Sequence, residues 1–262
     1  MIEYEQIHAK TRKKRYLTMV NERHDLIMEL LKEKKTANVK TLAKTLFVSE
    51  ATVRRDLTEM QTLGLIKRSH GGAVLPDNAR EVSIFVRMNE NAREKEKSAS
   101  SAILRLPDFQ SVFIDSSSSA LALAERIDLR FKTVVTNNLQ TAILLSKKRD
   151  INLILLGGSV QYNTISATGA WTARQLGDFS FDLMISSCAA ITGTEVLERS
   201  IEQKEIKLAA FTRSKKRVLI VDHTKFSAHG TYRLASLADY DLIATDAPPP
   251  EDLLSLNLPF AF

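Results

Sequence analysis

The sequence predicts an α/β protein in two parts: a small, mostly helical N-terminal part and a larger part in which strands and helices alternate. Three observations predict it. Apolar residues recur at helical spacing in the first third of the 262 residues, short apolar runs alternate with helical stretches in the rest, and the excess positive charge lies in the first part. With 44% hydrophobic and 26% charged residues, the composition is that of a globular protein with enough apolar material for a core.

The positive charge is unevenly divided along the chain. Residues 1–80 contain 16 Lys plus Arg and 10 Asp plus Glu, a net charge of +6; subtraction from the totals of 37 and 31 leaves 21 of each sign, and so zero net charge, in residues 81–262. We expect this division if the first part alone contacts a polyanion such as DNA. A basic run at residues 10–15 is either a flexible solvated arm or a source of extra phosphate contacts.

Three helices are predicted between residues 22 and 64. The first runs from about Glu22 to Lys34, the second begins at an N-cap at Asn38, and the third begins at Ser49 and ends at Gly64. Each has one apolar stripe at helical spacing; the stripes consist of Leu26, Ile27, Leu30 and Leu31, then Val39, Leu42, Ala43 and Leu46, then Val53, Leu57, Met60 and Leu63.

The outward face of the third helix carries the chemistry of a DNA reader. Two arginines on an exposed helix can reach phosphates or base edges, and a helix N-terminus favours a phosphate. Residues 65–74 then look like two short strands that turn at Gly71-Gly72, a basic wing. The predicted DNA-binding residues are Ser49, Ala51, Thr52, Arg54, Arg55, Thr58, Lys67, Arg68, His70 and Gly71. An ordinary helical hairpin with a solvated basic face is the alternative, but the ordered series of helix, turn, arginine-bearing helix and wing favours double-stranded operator DNA.

These features predict three segments. Residues 20–75 form a winged helix-turn-helix domain, residues 76–100 form a linker with a loose and polar pattern, and residues 101–262 form an α/β domain. Strands are expected at 112–114, 133–135, 152–156, 181–185, 217–221 and 242–244, with helices at 118–128, 139–148, 168–178 and 201–214. This alternation predicts βαβ units and a mainly parallel sheet.

Small and polar residues follow four of the predicted strands. In parallel sheets ligands bind where the carboxyl ends of strands meet helix N-termini. Hydroxyls, amides, close backbone approach at a glycine pair, a lysine and two carboxylates suit a phosphorylated polyol. The residues are Asp115, Ser116, Ser117, Ser118, Thr136, Asn137, Asn138, Gly157, Gly158, Asp222 and Lys225. The alternative for each loop is that these residues only cap the helix that follows.

Several function classes are not favoured. Cys188 is the single cysteine, so no intrachain disulfide is expected, and the five histidines show no ligand spacing, so we predict neither metal nor cofactor. The absence of a long apolar run or of a signal-peptide pattern at the start predicts a cytoplasmic protein without membrane contact.

These motifs resemble the DeoR family of bacterial transcriptional regulators. The resemblance spans nearly all of residues 20–246 and rests on Val48-Ser49, the run Thr52 to Leu57, the run Gly64 to Arg68 and the run His70 to Ala73. The family is similar in its C-terminal domain to ribose-phosphate isomerases and CoA transferases, so the resemblance implies an isomerase/CoA-transferase-like α/β sensor domain. It also implies a repressor of sugar or polyol metabolism genes that a small phosphorylated sugar releases.

The resemblance also extends to single residues of the second part. Glu96-Lys97 fits a Glu-Lys pair at the domain entrance, Lys207 fits a helix lysine of the effector site, and Asp222 with Lys225 and Phe226 fits an Asp-x-x-Lys-Phe element. Asp115 fits a loop in which the family has Asp, a small residue, Gly, Thr and Thr. Here Ser117 stands at the glycine, which would allow φ > 0 and close backbone approach, so the change is expected to retune the pocket.

Two other functions stay open from the sequence. The second part could be a sugar-phosphate isomerase or transferase-like enzyme with Asp115, Asp222 or Lys225 as acid or base, although we expect no catalysis because a fold does not imply a function. It could also be a scaffold without a ligand. Because symmetric readers match duplicated operators, we expect a homo-oligomer, either a dimer or a tetramer.

Overall fold

The chain forms two compact units, Met1–Ala79 and Arg80–Phe262, in a computed structural model. The structure describes residues 23–24, 26–28, 30–31, 34–62, 65–74 and 83–262. The basic run at 10–15, the glycine expected to end the third helix and the first part of the expected linker lie outside these residues.

The described residues of the first unit form three helices and a small sheet. Helix α1 comprises helical residues 23–24, 26–28, 30–31 and 34. Strand β1 (Thr36–Asn38), α2 (Val39–Thr45), α3 (Glu50–Thr62), β2 (Lys67–Ser69) and β3 (Gly72–Val74) follow. The strands form an antiparallel sheet in the order β1-β3-β2. This arrangement is a winged helix-turn-helix.

Local chemistry explains where these helices begin and what they bury. The Asn38 side chain accepts a hydrogen bond from the Thr41 amide at 2.8 Å, and that of Ser49 accepts one from the Thr52 amide at 3.1 Å. These are N-caps at the two expected positions. Within the described residues, most of the predicted stripe residues are buried: Ile27, Leu31, Val39, Leu42, Val53, Leu57 and Met60. The prediction was wrong for Leu26, which is 49% exposed, and Leu30, Ala43 and Leu46 are half-buried.

The wing differs from the prediction in one detail. Its turn lies at His70 and Gly71, where Gly71 has φ of +82°, while Gly72 is already the first residue of β3. A Cβ at Gly72 would lie 2.2 Å from the Ala37 carbonyl oxygen of β1. Gly72 is therefore needed for close approach of two strands, and β1, which was not predicted, creates that need.

The second unit is built on a seven-stranded, wholly parallel sheet. Its order is β15-β14-β12-β9-β4-β5-β6, with β4 (Ser111–Ile114), β5 (Thr133–Thr136), β6 (Asn152–Leu155), β9 (Phe181–Ser186), β12 (Ser214–Ile220), β14 (Leu242–Ala244) and β15 (Phe260–Ala261). Every neighbouring pair is parallel. The predicted α/β class and mainly parallel sheet are confirmed, and six of the seven strands were expected.

Helices and smaller strands complete this unit. The helices are α4 (Ile84–Asn89), α5 (Ala92–Ile103), α6 (Ser118–Arg126), α7 (Leu139–Leu145), α8 (Ala170–Leu176), α9 (Ile201–Thr212) and α10 (Glu251–Leu254). Strands β7 (Ser159–Gln161) and β8 (Ser166–Thr168) form a hairpin, and β10 (Ala190–Thr192), β11 (Glu195–Glu198) and β13 (Tyr232–Ser236) form an antiparallel sheet. None of the helices in the described ranges is long and apolar enough to cross a membrane.

The central strands are buried on both faces because helices cover the sheet on each side. Val112 and Ile114 of β4 pack in one apolar cluster with α5 and α6 residues, while Phe113 between them packs in another cluster with α8 and α9 residues. Such alternation follows from the two-residue period of a strand. Because both faces of these strands pack in apolar clusters, their sequences are continuous apolar runs.

The polar pattern that predicted a linker at 76–100 hides two helices, α4 and α5. Lys95, Ser98, Ala99 and Ala102 share the buried face of α5. Because these side chains are small or polar, α5 has no apolar stripe, and hydrophobic periodicity did not predict this helix. The unit boundary falls between Ala79 and Arg80.

Candidate functional site

The exposed face of α3 carries the predicted DNA-binding side chains. Arg54, Arg55 and Thr58 are exposed, as are Ser49 and Ala51 at the N-terminal end. Arg54 forms an exposed ion pair with Glu50 one turn earlier, at 3.1 Å. A pair of this kind contributes little to stability, so the arginine is available for a stronger anion.

The wing lies against the same helix through its basic strand. Arg68 of β2 donates from Nη1 to the Arg54 carbonyl oxygen at 3.3 Å, while Lys67 and His70 are exposed. The structure thus connects the wing residues to the arginine-bearing helix, as a reader with both parts requires.

Asp56 is a residue of this unit that was not among the functional residues predicted from the sequence. Its carboxylate accepts two hydrogen bonds from the Arg23 guanidinium, both at 2.8 Å, and its side chain is 4% exposed. This bidentate pair ties α3 to α1 and fixes the helix whose opposite face is exposed. Asp56 lies three residues after Val53 and therefore on the same buried face of α3. This spacing is the sequence signal that predicts its burial.

In the second unit, two adjoining cavities lie beyond the carboxyl ends of β4, β9 and β12. Their volumes are about 220 Å³ and 50 Å³. The larger is lined by Arg87, Glu90, Asn91, Lys95, Ser117, Ser118, Ser119, Ser187, Cys188, Arg199, Asp222, Thr224, Lys225 and Ala228. The smaller shares five of these residues and adds Ser116, Ala189, Glu198, Gln203 and Lys207.

Charged side chains of the larger cavity come from separate elements and are mainly cationic. Arg87 of α4, Lys95 of α5, Arg199 after β11 and Lys225 after β12 provide four positive charges, and Glu90 and Asp222 provide two negative ones, a balance of 4 − 2 = +2. A phosphate monoester carries a charge of about −1.5 to −2 at pH 7. The cavity charge is thus matched to one such group.

Asp115 is fully engaged by its neighbours. Oδ1 accepts hydrogen bonds from the Ser117 amide at 2.9 Å and from the Ser117 hydroxyl at 2.5 Å, and Oδ2 accepts from the Ser187 amide and from Lys207 Nζ, both at 3.1 Å. It is 1% exposed. This carboxylate organises two strand ends and leaves no lone pair directed to a ligand.

Lys207 is held between two buried carboxylates, Asp115 at 3.1 Å and Glu198 at 2.5 Å. Burial alone would lower the pKa of Lys207, but the two carboxylates raise it above its ordinary value. Lys207 is therefore a permanent cation, and its charge is neutralised within the protein.

Asp222 differs from Asp115 in having an uncommitted oxygen. Oδ1 accepts hydrogen bonds from the amide and the hydroxyl of Thr224, whereas Oδ2 is buried and accepts none from any residue that the structure describes. Buried polar atoms are rarely left unpaired. A ligand hydroxyl in the cavity would satisfy Oδ2.

Lys95 is the buried lysine of the cavity. Its ammonium donates to the carbonyl oxygens of Arg87 and Glu90 at the end of α4. Burial lowers the pKa of Lys95 to about 8, although the Asp222 carboxylate acts in the opposite direction. The family resemblance implied Glu96-Lys97 at the domain entrance, but those side chains are exposed and the lysine that lines the cavity is Lys95.

The serine loop forms one wall through the start of α6. Ser117 caps that helix by accepting a hydrogen bond from the Ala120 amide at 3.2 Å, and Ser118 and Ser119 line the cavity. The first amides of a helix have no intrahelical acceptor and favour an anion. Ser117 has φ of −82°, which any residue adopts, so the loop does not need the glycine of the family pattern.

Two of the predicted loops lie elsewhere. Neither residues 136–138 nor residues 157–158 are among the described residues that line the two cavities. The Asn138 carboxamide accepts from the Thr141 amide at 2.9 Å as an N-cap and donates to the Thr164 carbonyl at 2.9 Å, and Asn137 donates to the Ala167 carbonyl at 2.9 Å. These contacts fasten the loop to the β7–β8 hairpin.

The glycine pair lies against α8, and Gly158 allows the close approach of this helix. The Gly157 carbonyl accepts hydrogen bonds from the Thr172 hydroxyl at 2.8 Å and from Gln175 at 2.9 Å. A Cβ at Gly158, where φ is +153°, would lie 2.0 Å from the Thr172 hydroxyl. Gly158 is thus explained by helix packing, whereas a Cβ at Gly157 would lie 3.9 Å from Gln175 Oε1, an ordinary contact that does not require glycine.

Several cavity residues were not predicted from the sequence. Arg87, Lys95, Arg199, Ser187, Cys188 and Thr224 belong to it. Burial raises the pKa of the Cys188 thiol to about 12, so this cysteine is an uncharged lining residue. Across the described stretches, no cluster of three or more His, Cys, Asp or Glu side chains could hold a metal ion.

A winged helix-turn-helix unit and an α/β unit with a cationic cavity are the two parts of a DNA-binding regulator with a sensor domain. Family models match both parts: a DeoR-like helix-turn-helix domain over residues 23–79, and a DeoR C-terminal sensor domain over residues 90–247. The chain belongs to the DeoR family of transcriptional regulators.

Individual relatives cover almost the whole chain. It is 31% identical over 240 residues to the glycerol-3-phosphate regulon repressor of Escherichia coli, covering 90% of this chain and 94% of that protein. It is 34% identical over 228 residues to the HTH-type transcriptional regulator GolR of Listeria innocua, covering 86% and 90%. Among solved structures, a ribose 5-phosphate isomerase from Methanocaldococcus jannaschii aligns over 52% of this chain and 55% of its own, with 14% identity and a TM-score of 0.38.

Proposed function

We propose that this DNA-binding transcriptional regulator represses genes of sugar or polyol phosphate metabolism and leaves its operator when a small phosphorylated effector binds in the larger cavity. The single observation that carries the effector proposal is the joint presence of four cationic side chains and the unpaired Asp222 oxygen in one cavity. The four cationic side chains suit a phosphate group, and the Asp222 oxygen suits a ligand hydroxyl.

The ligand is small. Pockets for drug-sized molecules occupy about 300–1,000 Å³, whereas this cavity has about 220 Å³. Lys95, Lys225 and the first amides of α6 would hold the phosphate, and Asp222 would accept a hydrogen bond from a hydroxyl. The Escherichia coli relative is named the glycerol-3-phosphate regulon repressor, so glycerol 3-phosphate is the first compound to test.

On the DNA side, α3 and the wing would contact double-stranded operator DNA through the ten residues predicted from the sequence. Eight of the ten are exposed, whereas Thr52 and Arg68 are half-buried, and this exposure supports the proposal. Arg54 and Arg55 are the side chains able to read base edges. The regulator would act in the cytoplasm, where its DNA lies, as a dimer or tetramer, because paired half-sites match symmetric readers. Light scattering of the purified chain, alone and with operator, measures that state.

The experiment for the effector is a thermal shift series with paired compounds, each sugar or polyol tested with and without its phosphate. We expect at least one phosphorylated compound, and not its unphosphorylated partner, to raise the melting temperature and to release operator DNA in a gel shift. If no phosphorylated compound does either, the sensor proposal fails.

We also propose that the second unit is not an enzyme. Asp115 is fully engaged by four hydrogen bonds or ion contacts and cannot serve readily as an acid or base. Turnover of pentose or hexose phosphates in a coupled assay would contradict this and favour an isomerase or transferase-like activity at Asp222 and Lys225.

A further inference from the structure

Phe47, in the turn between α2 and α3, combines two unfavourable features. Its side chain is 95% exposed, and its backbone has φ of +53°. Single exposed apolar residues are common and need no explanation. A bulky side chain in the left-handed region is an outlier, because glycine adopts that conformation without steric strain.

The surrounding backbone imposes this conformation. The Phe47 amide donates to the Lys44 carbonyl at 3.4 Å, and the Val48 amide donates to the Ala43 carbonyl at 3.1 Å, which closes the end of α2. Leu46 and Val48 on either side are partly buried, whereas Phe47 points away from the core. The turn requires the left-handed backbone but gains no packing from the aromatic ring.

The turn is next to the end of α3 that carries its N-cap. Phe47 precedes Ser49 by two residues, so their Cα atoms are at most about 7.6 Å apart. An exposed aromatic ring at this distance can reach the deoxyribose or thymine methyl groups of a duplex that α3 approaches. Both are apolar surfaces that a Phe side chain can contact.

We infer that Phe47 is a DNA-contacting residue of this regulator, which makes an apolar contact with the operator beside the N-terminus of α3. The inference rests on the proposed contact of α3 with operator DNA, and it adds to the polar motif an apolar residue that contributes to operator affinity. The unfavourable backbone conformation of Phe47 in the free protein would then be offset by the contact that the side chain makes with DNA, as strained residues are used at other functional sites.

The test compares the operator affinity of Phe47→Gly and Phe47→Asn with that of the full-length wild type, on a DNA duplex chosen from genomic fragments that the wild type binds. Both variants suit a left-handed backbone, so amide exchange in α2 and α3 is expected to slow. Operator affinity is nevertheless expected to fall about three- to tenfold, the loss that follows from removing a small buried apolar area. Phe47→Leu, which keeps an apolar side chain, is expected to retain most of the affinity.

Phe131 provides a matched control. It has φ of +59° and is 81% exposed, but lies in the second unit before β5. Phe131→Gly relieves the same kind of strain and is expected to leave operator affinity unchanged.

Two results would overturn the inference. The first is wild-type operator affinity together with slower amide exchange in both Phe47→Gly and Phe47→Asn. The second is a loss of operator affinity together with faster amide exchange, because faster exchange indicates unfolding. Arg54→Ala and Arg55→Ala separate this failure from failure of the proposed function. If these variants bind weakly while the Phe47 variants bind normally, only the role of Phe47 is refuted.

Discussion

Lys95 gives the larger cavity a charge that varies near neutral pH. Its ammonium is buried, donates to two carbonyl oxygens at the end of α4, and has its pKa lowered to about 8 by burial. A bound phosphate would favour the charged form of this lysine. Effector binding should therefore couple to protonation of Lys95.

Effector affinity is expected to fall as pH rises from 7 through about 8 to 9, because the lysine loses its proton while the phosphate, with a second pKa near 6, stays dianionic. Lys95→Met should bind the effector weakly at both pH 7 and pH 9, without that dependence. Titration calorimetry at pH 7 and pH 9, with a phosphorylated compound identified by thermal shift, measures the affinity of the wild type and of Lys95→Met. The same pH dependence in wild type and Lys95→Met would assign the titration to another group.

Arg54 and Arg55 are exposed on α3, and the one ion pair recorded for them in the described part of the chain joins Arg54 to Glu50. Arg54→Ala and Arg55→Ala are each expected to weaken operator binding by about 1–3 kcal/mol if the side chain reads a base edge. Stability should change little, since the residues are exposed. A gel-shift titration with unchanged affinity for both variants would exclude this face of α3 as the reader.

At the scale of elements, α3 is positioned by a charged contact with α1 as well as by its apolar stripe. Asp56→Leu removes the carboxylate that accepts both hydrogen bonds from Arg23, whose side chain is 16% exposed. Breaking one partner of a buried pair costs about 3–5 kcal/mol. We expect a loss of this order in the stability of the first unit.

The control is the double variant Arg23→Met with Asp56→Leu, which replaces both charges by apolar side chains. Its loss of stability is expected to be smaller than the sum of the two single losses, because no unpaired charge remains. Denaturation followed by amide exchange in α3 measures each variant. Additive losses would show that the pair contributes no coupling.

The elements also show what sequence patterns could and could not predict. Strands β4, β5, β6, β9, β12 and β14 were expected because continuous apolar runs are typical of strands buried on both faces. Helix α5 was missed because its buried face holds lysine, serine and alanine. Strand β15 and the antiparallel β10–β11–β13 sheet were missed because their residues lack a long apolar run.

Strand order explains why the four predicted loops do not meet. The sequence places all of them at one edge, but β12 and β6 are separated by four strand spacings in the sheet. At about 4.8 Å per spacing these ends lie roughly 19 Å apart. The ends of β4, β9 and β12 are neighbours, and these surround the cavity. Order within a sheet depends on tertiary packing, which local patterns do not encode.

The whole molecule divides its work between two units. The unit Met1–Ala79, which carries α3 and the wing, has 15 basic and 10 acidic residues, a net charge of +5. The unit with the cavity, Arg80–Phe262, has the remaining 22 basic and 21 acidic residues, a net charge of only +1, yet concentrates positive charge locally. This local concentration of charge depends on Arg87, Lys95 and Arg199, none of which is among the effector-binding residues predicted from the sequence.

Lys225 tests this division. Lys225→Ala removes one of the four cationic side chains of the cavity and is expected to leave operator affinity unchanged while abolishing release by effector. Lys215→Ala is the matched control, because that lysine is exposed on β12 and pairs with Asp182 at 2.9 Å. Loss of operator binding in Lys225→Ala alone would contradict the separation of the two roles.

The most direct measurement selects genomic DNA fragments bound by the full-length protein, with and without a panel of sugar and polyol phosphates and their unphosphorylated partners. We predict that a defined set of fragments is enriched in the absence of ligand and is lost with at least one phosphorylated compound, but is kept with its unphosphorylated partner. Enrichment that no phosphorylated compound changes would contradict the account.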